Sequence, residues 1–169
     1  MNQPSNLQTR RISAAVIAKM ALITALYVVT TLALAPFSFG AIQLRLSEMF
    51  NYLGIFNKRY IWSITLGVAL ANLQSPLGFV DVLSGSLSTC IVLWLSYAMI
   101  KHQRRLISKM VTTAVIFSVS MFTVAASLTL FYQLPFFYTW LTVAIGEFLS
   151  MTVGGCIFYL ITKKINLNQ

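Results

Sequence analysis

Acidic side chains are almost missing from this chain. Against twelve Lys and Arg it has three acids, Glu48, Asp81 and Glu147. Charged residues of both signs make up only 9% of it, well below the share in water-soluble domains. Histidine occurs once, as His102 inside a basic stretch. That argues against a histidine-built metal site or a nucleophile-activating triad. The two cysteines, Cys90 and Cys156, lie in separate apolar runs, so neither a disulfide framework nor metal-ligand spacing is present. There is no Walker A loop, so ATP hydrolysis is not expected in this chain. No cofactor is expected either.

What fills the sequence is apolar. Hydrophobic residues make up 58% and the mean hydropathy is +0.80, which places the chain in the membrane class. Its 169 residues suit one domain. A net charge of +9 raises the question of nucleic acid. The basic residues fall in short clusters between apolar runs, as topology signals do, so no nucleic-acid partner is expected.

A spanning helix needs about 20 mostly apolar residues. Six candidates follow: 12–35, 43–56, 61–73, 80–100, 110–131 and 138–162, the second and third being short. Together they predict an all-α integral membrane domain over 12–164, with a short N-terminal arm (1–11) and a C-terminal tail (165–169). Breakers separate the runs: APFSFG, NKRY, QSPLGF, KHQRRLISK and YQLPFF. Beyond Pro4, every proline lies where one of these helices must stop. Arg10 and Arg11 precede an apolar run of over twenty residues with no small-residue cleavage site behind it. The run therefore reads as a retained first span and not as a signal peptide.

Orientation follows from the basic residues in short loops. With the N-terminus inside, Arg10, Arg11, Lys58, Arg59, Lys101, Arg104, Arg105, Lys109, Lys163 and Lys164 are cytoplasmic, ten of the twelve. Lys19 can snorkel to the inner interface. Arg45 alone stays outside. A multi-pass protein of the cell membrane with both termini cytoplasmic is expected.

On this map all three acids share the outer half with Arg45. Glu147 sits about nine residues into the last span, roughly 13 Å deep at 1.5 Å per residue. Ionisable groups inside a membrane cost at least about 2.5 kcal/mol near the centre, so they face a cavity or a partner. Arg45 and Glu48, three residues apart, either pair on one helix face or line a cavity. Asp81 is either a helix-start acid favoured by the dipole or a ligand group. Glu147 has no basic neighbour in sequence, and a functional role is the better reading. The uncharged polar residues Gln43, Asn72, Gln74 and Ser84 fall in the same half. The aromatics from Phe131 to Trp140 suit an interfacial belt, with one or two available to stack on a flat ligand. The small residues of SGSLST, Ser84 to Thr89, allow close helix packing or leave room for a ligand. In the first span Ala14, Ala18, Ala21 and Ala25 are spaced four, three and four apart, one small-residue face suited to docking.

Short helices, an alanine-faced first span and polar residues at the outer side resemble a substrate-binding S component of an energy-coupling factor (ECF) transporter. Local strings narrow the likeness. LAPFSFGAIQLRLSEMFNYLGIF (Leu34 to Phe56) and ANLQSPLGFVDVLSGSLST (Ala71 to Thr89) resemble the QueT family, importers of queuosine precursors. The patterns are Pro-x-Ser-x-Gly, Gln-x-Arg-x-Ser-Glu and Asn-x-x-Ser-Pro-x-Gly-x-x-Asp, and the similarity extends along most of the chain. Where that family usually has Leu-Pro at the end of the second helix, this chain has LGIFN. The resemblance implies capture of a 7-deazaguanine base in a pocket near the outer surface. It also implies docking of the alanine face on a transmembrane T subunit energised by two ABC-type ATPases. The expected ligand set is Gln43, Arg45, Glu48, Asn72, Gln74, Asp81, Ser84 and Glu147, with carboxylates accepting from the guanine-like donor edge and from an aminomethyl cation. An S component for another vitamin-like compound and a solitary ion-coupled carrier are the alternatives. An intramembrane enzyme is disfavoured, and a bare scaffold leaves Glu147 unexplained.

Overall fold

The computed structural model describes residues 13–39 and 43–164. The expected N-terminal arm, the C-terminal tail and Ile12 lie outside the described residues. All regular structure among the described residues is helical.

Ser13 opens α1 (Ala14–Ala33) by accepting the Val16 amide on its side chain, as an N-cap does. Leu34 ends it, and Pro36 sits in the first turn of the short α2 (Ala35–Ser38), where its missing N–H costs nothing. A 3-10 helix over Leu46–Tyr52 runs into α3 (Leu53–Phe56). Asn57 is extended and accepts the Arg59 amide on its side chain, which turns the chain into α4 (Arg59–Ala71). A 3-10 turn, Asn72–Gln74, and the Ser75-Pro76 bend lead to Gly78. Gly78 has φ +54° and ψ −122°, a conformation open only to glycine. Then come α5 (Phe79–Ile100), α6 (Leu106–Ser120), α7 (Phe122–Tyr132) and α8 (Phe136–Thr162).

Four helical stretches are long and apolar enough to cross a bilayer: Ala14–Ala33, Phe79–Ile100, Leu106–Tyr132 and Phe136–Thr162. The expected second span is not a regular α-helix. Over 43–56 the chain is first irregular, then 3-10, and α-helical only for its last turn. The expected third span corresponds to the 13 residues of α4, about 20 Å at 1.5 Å per residue and short of a full crossing. The fifth begins at Leu106, so Lys109 stands inside a helix and not in a loop.

The core packs α4 between α1 and α5, with Tyr27, Ile61, Ile64, Val68 and Leu93 nearly inaccessible. The buried positions of α4 (60, 61, 63, 64, 67, 68, 71) recur at helical spacing. Gly67 lets α1 come close, because a Cβ there would stand 2.9 Å from Tyr27 Cβ. Gly154 of α8 admits the 3-10 segment in the same way, against Met49. At the junction of α6 and α7 the Trp140 indole donates to the Val119 carbonyl at 3.1 Å. An indole N–H on a helix carbonyl is one physical cause of a break in the ladder.

The burial pattern is inverted relative to a soluble protein. Glu48, Asn51, Asn72 and Glu147 are buried, while Leu22, Val29, Trp62, Leu87, Phe137 and Leu160 are exposed. An apolar exterior of this extent suits lipid, not water. Charge is sorted along the bundle. Residues 57–59, 101–105 and 163–164 form one end, placed together by the Phe56–Phe158 ring contact and by the alternating helices. All three acids and Arg45 lie toward the other end.

Candidate functional site

Two cavities open one behind the other at the acidic end. The outer one, a vestibule of about 560 Å³, is walled by Phe39, Pro76, Tyr132 and Tyr138 and carries Asp81, Thr139 and Thr142. Beneath it lies a chamber of about 30 Å³ faced by Arg45, Glu48, Ser88, Thr89, Ser120 and Glu147. The chamber has room for about one or two water molecules. Gln43 lines both cavities. Its φ of +52° is uncommon for a residue with a side chain, and such backbone strain concentrates at functional sites.

The chamber floor belongs to the 3-10 segment, which α1 holds by side-chain hydrogen bonds. Thr31 donates to Ser47 Oγ at 2.6 Å and Ser38 donates to the Thr31 carbonyl at 3.1 Å. Glu48 is fully engaged: Tyr27 Oη donates to one oxygen at 2.6 Å and Asn51 Nδ2 to the other at 2.5 Å. Arg45 forms no ion pair with Glu48. Its Nε donates to the Ser38 carbonyl at 3.1 Å, and its guanidinium carbon lies 5.2 Å from the centre of the Phe39 ring. The i, i+3 pairing considered from sequence is therefore absent, because a 3-10 backbone and better-placed neutral donors have taken the carboxylate.

Glu147 stands opposite, on α8, with 2% of its surface exposed. Its Oε1 has no hydrogen-bond partner among the described residues. A buried, unsatisfied carboxyl oxygen costs about 1–3 kcal/mol or more. The fold keeps this one aimed at a cavity. Arg45 faces the same space with most of its donors uncommitted, so the chamber offers one acceptor group and one donor group to a planar polar edge.

The candidate residues named from sequence thus separate into groups. Gln43, Arg45, Glu48 and Glu147 meet at the chamber, and Asp81 faces the vestibule, where Ser75 donates to its carboxylate. Asn72 is buried elsewhere. Its Nδ2 donates to the Asp81 carbonyl at 2.9 Å, and it packs where Gly85 leaves no Cβ. Gln74 is exposed, Ser84 donates to the Val80 carbonyl, and neither lines the vestibule or the chamber. Sequence reasoning passed over Tyr27 and Asn51, which orient Glu48, and Ser120 in the chamber wall. Asn51 carried a signal, since it stands three residues after Glu48; Tyr27 carried none. Ala14, Ala18, Ala21 and Ala25 are all exposed, on the side of α1 away from the buried Ile23, Thr24, Tyr27 and Thr31.

An all-helical bundle with four membrane-length helices and a buried polar chamber at one end has the build of a membrane transport protein. Residues 17–164 match the family model described as QueT transporter. A curated relative from Lactococcus lactis subsp. cremoris (strain MG1363), named queuosine precursor transporter QueT, is 36% identical over 162 residues, covering 90% of this chain and 95% of the relative. No solved structure matches the chain at a significant level. The chain belongs to the QueT transporter family.

Proposed function

We propose that this protein is the substrate-capturing S component of an ECF importer and that it carries a queuosine precursor, a 7-deazaguanine base. The observation that carries the reading is the uncommitted carboxyl oxygen of Glu147, buried in a chamber beneath an aromatic vestibule. A guanine-like edge presents two adjacent N–H donors, which a carboxylate accepts side by side. Arg45 donates to the ring carbonyl next to that edge. Glu48, already saturated by Tyr27 and Asn51, shapes the floor. An aminomethyl group on the far side of the base is cationic and reaches toward Asp81. The vestibule has room for a bicyclic base and the chamber has not, so Gln43, which lines both, moves as the polar edge descends to Glu147.

In this reading the chain crosses the cell membrane six times, the two short segments serving as the second and third passes. The basic end is cytoplasmic with both termini, and the vestibule opens outward. Energy comes from a T subunit and two ABC-type ATPases, and the exposed alanine face of α1 is the docking surface. The uncovered state of that face supports the assignment.

Calorimetry on the purified chain tests the substrate. Binding of 7-aminomethyl-7-deazaguanine in the nanomolar to micromolar range is expected. Silence with deazaguanines but heat with a vitamin refutes the substrate and keeps the class. Gradient-driven uptake by the chain alone in vesicles refutes the class.

A further inference from the structure

The break between α6 and α7 lies in the chamber wall, where Phe117 and Ser120 before it and Val124 after it face the cavity. A continuous helix would send the Met121 amide to the Phe117 carbonyl, four residues back. Here that amide donates to the Ser118 carbonyl at 3.3 Å instead. The Ser120 hydroxyl takes the Phe117 carbonyl, donating at 2.7 Å. Phe117 is 2% exposed and Ser120 7%, so turning that proton elsewhere would leave a buried carbonyl short of a donor.

The hydroxyls of the next turn are settled in the same way. Thr123 donates its hydroxyl to the Ser120 carbonyl at 3.0 Å. Its oxygen also lies 3.0 Å from Ser88 Oγ on α5. A hydroxyl has one proton, and Thr123 has committed its own, so Ser88 is the donor of that pair. Ser88 and Ser120 both line the chamber, and each has given its proton to the break. What they can offer a ligand is lone pairs only. The free Oε1 of Glu147 adds a third acceptor to the same space of about 30 Å³.

We propose that Ser88 and Ser120 are specificity-determining residues, which accept the outer hydrogen of a ligand's exocyclic amino group. The inference rests on the reading of Glu147 as the acceptor of a guanine-like edge, and extends it to a hydrogen the carboxylate does not reach. Such an edge carries one hydrogen on the ring nitrogen and two on the amino nitrogen. A carboxylate accepts the ring hydrogen and the nearer amino hydrogen side by side. The second amino hydrogen points away and needs an acceptor of its own, since a buried donor without one costs affinity. A chamber with room for about one or two waters has the size of an amino group and the ring N–H beside it. A base without the amino group leaves the serine lone pairs and half of the carboxylate unmet.

Calorimetry on the full chain compares 7-deazaguanine with its 2-methylamino analogue. In the analogue a methyl replaces the outer amino hydrogen, and the two hydrogens for Glu147 remain. The parent is expected to prefer 7-deazaguanine by at least about tenfold. In Ser88→Ala/Ser120→Ala, 7-deazaguanine binds about fivefold more weakly. The analogue binds that variant no worse than the parent, so the preference collapses. Should the double variant not fold, because the Phe117 carbonyl loses its donor, Ser88→Ala alone carries the comparison. It takes no donor from a carbonyl, and there the preference falls about twofold. Equal affinity of the parent for both bases overturns the assignment and leaves the Glu147 reading standing. An undiminished preference in the variants does the same, and so does an equal weakening of both bases, which marks a structural role. A parent silent to both bases overturns the substrate reading, and this inference falls with it.

Discussion

Glu147 and Glu48 are two buried carboxylates at one chamber, and the structure assigns them opposite sensitivities. Glu48 has both oxygens hydrogen-bonded; Glu147 accepts no side-chain hydrogen bond among the described residues, and its Oε1 is fully buried. Glu48→Ala leaves the Tyr27 hydroxyl and the Asn51 amide buried without their acceptor. At about 1–3 kcal/mol for each orphaned group the loss is roughly 2–6 kcal/mol. At about 2–4 °C per kcal/mol for a chain of this size, melting falls by on the order of 10 °C. Glu48→Gln is milder: its carbonyl still accepts from Tyr27, and Asn51, whose Oδ1 lacks a partner, can turn its amide to meet the new donor. Glu147→Gln removes an unsatisfied oxygen and costs little, so melting stays within a few degrees. It does present an N–H donor pair to a ligand that brings donors of its own. Losing charge-assisted acceptance there costs about 3 kcal/mol or more, roughly 150-fold in Kd. Calorimetry with a 7-deazaguanine and a thermal-unfolding scan on the same preparations separate the two. If Glu147→Gln melts lower yet binds as before, Glu147 is a structural group and the chamber is not the ligand site.

Three further outcomes are expected. Gly67→Ala places a Cβ 2.9 Å from Tyr27 Cβ, pushes α1 from α4 and destabilises by about 1–3 kcal/mol in an unfolding scan. Arg45→Met breaks a single hydrogen bond to Ser38, so the fold persists; affinity for a base bearing the ring carbonyl drops about tenfold, and affinity for an analogue without it is unchanged in calorimetry. Ala18→Leu, on the exposed alanine face, leaves unfolding within about 0.5 kcal/mol of the parent and leaves ligand binding intact, but abolishes uptake in cells that co-express the T subunit and ATPases.

The long helices were legible because their cause is local. A run of apolar residues must satisfy its own backbone in lipid, and a helix does so whatever surrounds it. Gly78 and Pro135 stop or start helices by their own backbone chemistry, and their places could be read directly. The segment after Gly40 was harder. Its composition suits an α-helix, yet Ser47, Glu48 and Asn51 make a 3-10 helix. Their partners Thr31 and Tyr27 lie on α1, and the Gly154 face of α8 crowds the same stretch. Asn72 and Gln74 show the same limit. They sit beside Asp81 in the sequence map, but the 3-10 turn buries one against Gly85 and exposes the other.

The sequence by itself determined the all-helical membrane class, the sorting of basic residues away from acids, the family, and the choice of Glu147 as the residue needing an explanation. Each of these depends on composition or on motifs within one stretch of chain. Tertiary structure alone decided that Arg45 leaves Glu48 to Tyr27 and Asn51, and that Glu147, ninety-nine positions after Glu48, shares its chamber with an oxygen to spare. Hydrogen-bond partners are chosen by distance in space, and in this fold that distance is set by two glycines that let α1 and α8 approach the elements between them.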